Sequence, residues 1–301
     1  MRRSLLRWLC LGVGWGVLSG AAPATSDWDS EIKRLGLDAS GVELGIEVVI
    51  EGQGIVMSRA ARVPRAAASA IKTAVALDLL SSHGQNLDDV VQGTESILQL
   101  GTHPAMSGFS RENLAHCRTE LSGKTYRHLL RVMMGQKGAS NEAYNAACNL
   151  IMIKLGGPES ITRRLHALDP SLSGIVLNRY MEQWNGDGDN QATPEALVSL
   201  YRMTASGSVP GIEPDALVEL RDLLRRDEET DRVYEKEGTL FPRPMVRVRA
   251  GYVEGRGRRL VYAVMGEVPN PASPASSDVF LRLMRGVDAM AVQCRGLARA
   301  H

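Results

Sequence analysis

Alternating, β-rich segments lie at the two ends of this chain, and helical spacing fills most of what separates them. VELGIEVVI (Val42–Ile50) and GIVMSR (Gly54–Arg59) flank Glu51-Gly52-Gln53 and read as a hairpin. MVRVRAGYV (Met245–Val253) and RRLVYAVMGE (Arg258–Glu267), joined through Glu254–Arg258, read as a second pair of strands. That order predicts an α/β (α+β) fold: one antiparallel sheet built from both chain ends and flanked by helices, with an inserted all-helical lobe. The predicted boundaries put one lobe at about 28–68 and 205–301 and the helical lobe at about 69–204. No internal repeat interrupts this plan.

The helices between are marked by their ends. Ala68–Ser81 reads as helix, and Thr125–Met134 spaces Tyr126, Leu129, Leu130 and Met133 along one face. Asn141–Leu155 stops at Gly156-Gly157-Pro158, a glycine C-cap followed by proline, and PESITRRLHAL starts again at once. Thr193-Pro194-Glu195 opens another helix with a cap and a proline at its first position. Residues 93–124, with scattered Gly, Ser, Thr and His, are expected to be an excursion with little regular structure. ASSDVFLRLMRGVDAMAVQCRGLA closes the chain as an amphipathic helix.

With 301 residues, 44% of them hydrophobic, the chain can bury a large core. Lys and Arg number 35 against 34 Asp and Glu, so nucleic acid and acidic lipid are not expected partners. Arg2, Arg3 and Arg7, the apolar run Trp8–Leu18 and Ala22-Pro23-Ala24 have the layout of a secretion signal over 1–24, ahead of a domain at 25–301. The apolar run is shorter than the roughly 20 residues that a membrane span needs. No stable span is therefore expected after cleavage, and the location is expected to be periplasmic or secreted. Beyond the leader's Cys10, Cys117, Cys148 and Cys294 are an odd set far apart, not a disulfide framework. The six histidines show no metal-ligand spacing, so neither a metal nor another cofactor is expected.

Ser69-Ala70-Ile71-Lys72 sets a hydroxyl and an amine one helical turn apart. A serine hydroxyl needs a base to take its proton as it attacks, and a partly buried lysine beside another cation has the lowered pKa to serve. Alone, the pattern is common by chance. Here the stretch SAIKTAVALDLL resembles the nucleophile helix of class A β-lactamases and related penicillin-recognising serine enzymes. The likeness continues in order through YRHLLRVMM, NAACNLIMIKLGGPESI, LNRYMEQWN (similar to that family's Ω-loop), TPEALVSLYRM and VRVRAGY, and so covers nearly the whole chain from about residue 28. It implies the β-lactamase/transpeptidase-like fold and, by default, a monomer.

The resemblance also implies site residues. Ser69 becomes the nucleophile, Lys72 its base, and Asn145 the amide that holds Lys72 and the substrate. Counting back from Gly156-Gly157-Pro158 sets the Ser-Asp-Asn box on Ala143-Tyr144-Asn145, so the serine that would protonate the leaving nitrogen is missing. Ser140, one turn earlier, is a candidate substitute. Arg179 and Asn185 match the Ω-loop's arginine and asparagine, with Asn185 expected at the substrate, and this register puts Met181 where a glutamate activates the deacylating water. Either the neighbouring Glu182 is re-aimed by a local bulge or the usual hydrolytic route is lost. The Lys-Thr-Gly box is expected at Arg249-Ala250-Gly251, with Arg249 anchoring a substrate carboxylate and Gly251 letting the strand approach the ligand. Tyr252 and Ser69 would then supply the N–H groups of an oxyanion hole.

The expected function is an exported serine hydrolase, acylated at Ser69, that acts on β-lactams or related amides with weak deacylation. The alternatives are a penicillin-binding, peptidase-like acyl-enzyme former and a non-catalytic relative that binds the cell wall. The implied partner is a small-molecule β-lactam or a peptidoglycan-like peptide.

Overall fold

The structure, a computed structural model, describes residues 28–38, 41–99, 102–135, 138–183, 188–227, 232–242, 244–255, 258–269 and 277–300. The expected leader and Asn185 lie outside the described residues. In chain order the elements are α1 (Trp28–Arg34), β1 (Glu43–Ile50), β2 (Gly54–Arg59), β3 (Arg65–Ala66), α2 (Lys72–His83), α3 (Thr94–Ile97), α4 (Arg111–Leu121), α5 (Tyr126–Met133) and α6 (Asn141–Lys154). There follow α7 (Pro158–Leu168), β4 (Gln191–Ala192), α8 (Pro194–Ser206), α9 (Pro214–Leu224), β5 (Arg225–Asp227), β6 (Arg232–Leu240), β7 (Met245–Gly255), β8 (Arg258–Val268) and α10 (Ser277–Ala300).

One antiparallel sheet, ordered β2-β1-β8-β7-β6-β5, joins the two chain ends as the sequence predicts. The junction is β1 against β8, in unbroken register from Glu43–Glu267 to Ile50–Leu260. Because side chains alternate across a strand, each strand serves two cores. Ile46, Val48, Tyr262 and Val264 pack with Leu283, Val287 and Met290 of α10. Val49, Val248, Ala250, Tyr252 and Ala263 share the larger core with α2, α6 and α8. This parity decides which strand residues can reach the site.

At the centre of that larger core, α2 is buried from Lys72 through Leu80. A helix apolar on all sides belongs inside a protein, and α2 has a wall of helices around it. Local caps set its neighbours. Thr125 accepts from His128 N–H (3.2 Å), Ser140 from Ala143 N–H (3.1 Å) and Thr193 from Ala196 N–H (3.1 Å).

Residues 93–124 are more regular than the sequence suggests. Ser110 caps α4, and the four-residue α3 lies upstream. Only Leu114, Cys117 and Leu121 of α4 are buried, a stripe too thin to stand out among its charges. The strand β6 also escapes sequence inspection, because Glu235, Lys236 and Glu237 break its apolar alternation. Cys117, Cys148 and Cys294 are buried free thiols. Among the described residues, no helix is long and apolar enough to cross a membrane, and no cluster of three or more His, Cys, Asp or Glu could hold a metal.

Candidate active site

A cleft of about 120 Å³ lies where the start of α2, the N-terminal end of α6, the 179–190 loop and the end of β6 converge. Ser69, Asn145, Met181, Glu182 and Thr239 are among its walls. Ser69 is on a 3-10 turn, Ala68–Ile71, from which α2 continues. Ala68, just ahead of it, has φ +46°, a conformation that costs a residue with a Cβ about 1–2 kcal/mol. Strain of this kind persists where surrounding structure enforces it, and it collects at working sites.

The surroundings that enforce it can be named. Ala67 N–H donates to Asn190 O (2.8 Å), which ties the turn to the end of the 179–190 loop. Asn190 Oδ1 accepts from Asn178 N–H (2.9 Å) and Arg179 N–H (3.0 Å), while Arg179 pairs with Asp189. Both ends of the loop are thus clamped together, with the Arg179 guanidinium buried.

Lys72 is fully buried. Its Nζ donates to Asn145 Oδ1 (2.6 Å), and Asn145 Nδ2 donates to the Glu182 carboxylate. Burial holds the Lys72 amine well below the usual lysine range; Lys236 adds to that and Glu182 opposes it. The amine also sits 2.8 Å from the ring centroid of Tyr144, and Lys236 Nζ lies 5.2 Å from the same centroid. Burial pushes the Tyr144 phenol up, with the Ser69 hydroxyl pulling the other way.

Glu182 faces this group through a left-handed backbone, φ +61°. Adjacent Met181 is held by Asn149, whose side-chain amide accepts from Met181 N–H (2.7 Å) and donates to Met181 O (3.0 Å). Gly108 lets the loop close in, since a Cβ there would fall 1.7 Å from Glu182 O. The local bulge that could re-aim Glu182 is therefore present, and Met181 contributes a buried apolar side chain.

Four expected site residues stand elsewhere. Ser140 caps α6, and its hydroxyl is committed to Ala143 N–H instead of the cleft. Arg249, Gly251 and Tyr252 belong to β7, one strand removed from Ser69. Arg249 is on the α10 face of the sheet, paired with Glu235 and with Asp288 at 3.2 Å. Gly251 pairs with Glu235, and a Cβ there would meet the β6 backbone, not a ligand. Tyr252 is fully buried against Tyr234, their ring centroids 4.5 Å apart.

The strand beside Ser69 is β6. A Cβ on Gly238 would come within 2.8 Å of the Ser69 and Ala70 backbone nitrogens, so glycine is what allows the contact. Lys236-Glu237-Gly238 thus takes the place that sequence analysis gave to Arg249-Ala250-Gly251. Among the described residues, the outer edge of β6 has β5 as strand partner over Arg232–Tyr234 and none beside Ser69. Burial and Arg226 lower Lys236 to about 8. A Lys-x-Gly triplet was the available signal; its flanking glutamates disguised the strand.

The sequence model of the beta-lactamase enzyme family matches residues 27–284. The chain belongs to that family. Among solved structures it is similar to a beta lactamase from Burkholderia vietnamiensis, at 20% identity and TM-score 0.64, over 91% of this chain and 97% of that one. A beta-lactamase from Sphaerobacter thermophilus shares 18% identity at TM-score 0.62, over 90% and 98% of the two chains. A mutant of PBP-A, captured as an acyl-enzyme complex with penicillin G, shares 18% identity at TM-score 0.62 over 88% and 95%. At these identities the likeness is one of fold. A search of curated protein sequences finds no match.

Proposed function

We propose that this family member is an exported serine hydrolase, acylated at Ser69 with Lys72 as base, that acts on β-lactams or related amides and deacylates slowly. The observation that carries the reading is the buried chain from Lys72 through Asn145 to Glu182, ending in the cleft that Ser69 lines. An amine held well below its usual pKa is more readily available, unprotonated, to take the serine's proton. The N–H groups of Ser69 and Thr239, at the edge of β6, are the proposed oxyanion donors; they stabilise charge that develops only in the transition state. Lys236, on β6 with its amine 5.2 Å from the Tyr144 ring centroid, is the proposed cation for an anionic substrate. The leader-like sequence supports export, and a small-molecule β-lactam or peptidoglycan-like peptide is the proposed partner of a monomer.

Slow deacylation follows from the 179–190 loop. Its glutamate is already bonded to Asn145 from a bulge, and the residue beside it, Met181, neither orients water nor accepts a proton. This supports the second reading, a penicillin-binding acyl-enzyme former, in which the adduct is the end point. PBP-A, a fold relative, forms such an adduct with penicillin G in its mutant structure.

Incubation with a chromogenic cephalosporin and with benzylpenicillin, followed by colour and intact mass, tests both readings. Colour change with no lasting adduct supports hydrolysis, and a persistent Ser69-dependent mass gain supports the second reading. Ser69→Ala should lose either signal, and no signal from the wild type sinks both. Glu182→Gln should lengthen the adduct lifetime about 100-fold if this carboxylate activates water. An unchanged lifetime removes Glu182 from deacylation.

A further inference from the structure

The Lys72 amine has to be neutral before Ser69 attacks and an ammonium once the proton has passed. Both forms must exist inside a core, where burial penalises the charged one. Its hydrogen-bond partner, Asn145 Oδ1, is neutral, and the Glu182 carboxylate stands one amide further off. Directly against the amine lies the face of Tyr144, with Nζ 2.8 Å from the ring centroid. We infer that Tyr144 is a positioning residue: its ring face holds the Lys72 amine against Asn145 and stabilises the ammonium that forms when the Ser69 proton is taken.

The inference rests on the Ser69 acylation described above and concerns a side chain that its place in the chain does not mark. Tyr144 and Asn145 are neighbours on α6, so a single stretch of helix presents a ring and an amide to the same amine. The negative face of an aromatic ring attracts a cation, and more strongly where water is excluded. Such a ring favours the ammonium without competing for the proton. A carboxylate in contact with the amine would instead hold it protonated and idle.

The other titratable groups facing Lys72 are Cys148 from α6, Glu182 from the 179–190 loop and Lys236 from β6. Burial pushes the Cys148 thiol up to about 11, so it stays neutral. Lys236 works against the ammonium and is itself 5.2 Å from the Tyr144 centroid, with Arg226, Glu235, Glu237 and Arg247 around it. Glu182 and the ring are thus what favour a charged Lys72. As Ser69 Oγ bonds to the carbonyl carbon, its proton passes to Lys72 Nζ and the carbonyl oxygen takes the negative charge. The ring attracts the ammonium more than the neutral amine, and so it lowers the cost of that transfer.

A decisive series varies the electron density of the ring with little change in its shape. Tyr144→Phe is made with ordinary phenylalanine and with phenylalanine bearing one, two and three ring fluorines, beside Tyr144→Leu. Lysine is labelled with ¹³C at Cε, and the Lys72 signal is identified by its loss in Lys72→Met. Its ε-protons should be shifted upfield by the ring in the wild type and in Tyr144→Phe, and not in Tyr144→Leu. The pH midpoint of that signal should stay within about 0.3 pH unit in Tyr144→Phe, fall stepwise with fluorine, and drop by about one pH unit in Tyr144→Leu. The acid limb of Ser69 acylation by benzylpenicillin, timed by mass, should move down in the same order. A ring that only fills space would leave the limb fixed and lower the rate equally at every pH. An unshifted wild-type signal, a midpoint indifferent to fluorine, or a Tyr144→Phe midpoint as low as that of Tyr144→Leu overturns the inference. Absence of a wild-type adduct would sink the acylation reading, and the midpoint series would still decide the ring's hold on the amine. Midpoints that fall while the limb stays put would show that Lys72 is not the base.

Discussion

The helical wall of the cleft and its strand wall handle charge in opposite ways. On the helical side, Lys72, Asn145 and Tyr144 are packed in the interior, and one amine, one amide and one phenol share a single chain of contacts. On the strand side, the α10 face of β6 and β7 is dense with full charges. Arg249 pairs with Glu235, Arg247 with Glu237 at 2.5 Å and with Asp288 at 2.7 Å, and Tyr262 donates to Glu235. The first wall perturbs its groups, as catalysis needs. The second satisfies them internally, so its arginines are already spoken for by the protein's own carboxylates. Hydrogen-bonded buried polar groups and ion-paired full charges are therefore kept on different faces of the molecule.

The sharpest way to break this contrast is to strip the helical wall of its amine. Lys72→Met should cut acylation by about 10²–10⁴-fold, the usual worth of a general base. It should not lower the melting temperature, because it exchanges a buried amine for an apolar side chain of similar length. A loss of both would make Lys72 a structural residue.

Next in size is the seam between the walls. Gly238→Ala should cost about 1–3 kcal/mol of stability, measured by denaturant unfolding, because the backbone it meets has little room to yield. Displacing Ser69 by even 1 Å should cost about 100-fold in acylation. Retained activity would show that β6 does not set the nucleophile.

The lowered pKa of Lys236 makes a pH prediction. The folded protein sheds this proton near pH 8, whereas the unfolded chain keeps it to about 10.5. Between those values the unfolded state binds more protons, so stability rises with pH. Relative to Lys236→Met, the wild type should gain on the order of 2 kcal/mol from pH 8 to 10. A flat difference would mean that Lys236 titrates normally.

The smallest expected effect concerns recognition. Glu237→Thr would release Arg247 from one of its two carboxylates, at little cost because Glu237 is 52% exposed. Acylation by carboxylate-bearing penicillin should then rise by no more than about fivefold, the worth of one exposed ionic contact. No gain, or a gain shared by a neutral ester, would mean that the strand wall does not select against carboxylates.

How far the site was legible differs between the same two walls. Ser69, Lys72, Asn145 and Arg179 sit on elements whose caps and spacing are local, and counting along the chain brings each to the region where the structure has it. The strand wall resisted such counting. Two neighbouring strands carry similar triplets, Lys236-Glu237-Gly238 and Arg249-Ala250-Gly251, and the more apolar one draws the eye. Which of them lies against Ser69 depends on the sheet order, a non-local property. In the sequence Tyr144 reads only as the middle of a damaged box, because nothing in the chain says which way a helical ring turns.

The sequence by itself determined the sheet shared by both chain ends, the helical insertion and the family to which the chain belongs. Periodicity, caps and glycine-proline stops are written in neighbouring residues and survive without knowledge of distant contacts. Tertiary structure alone decided that Glu182 swings through a left-handed backbone, that β6 instead of β7 edges the cleft, and that the Tyr144 ring lies under the Lys72 amine. Each depends on close contact between segments far apart in the chain, as when Gly108 admits Glu182 and Gly238 admits Ser69.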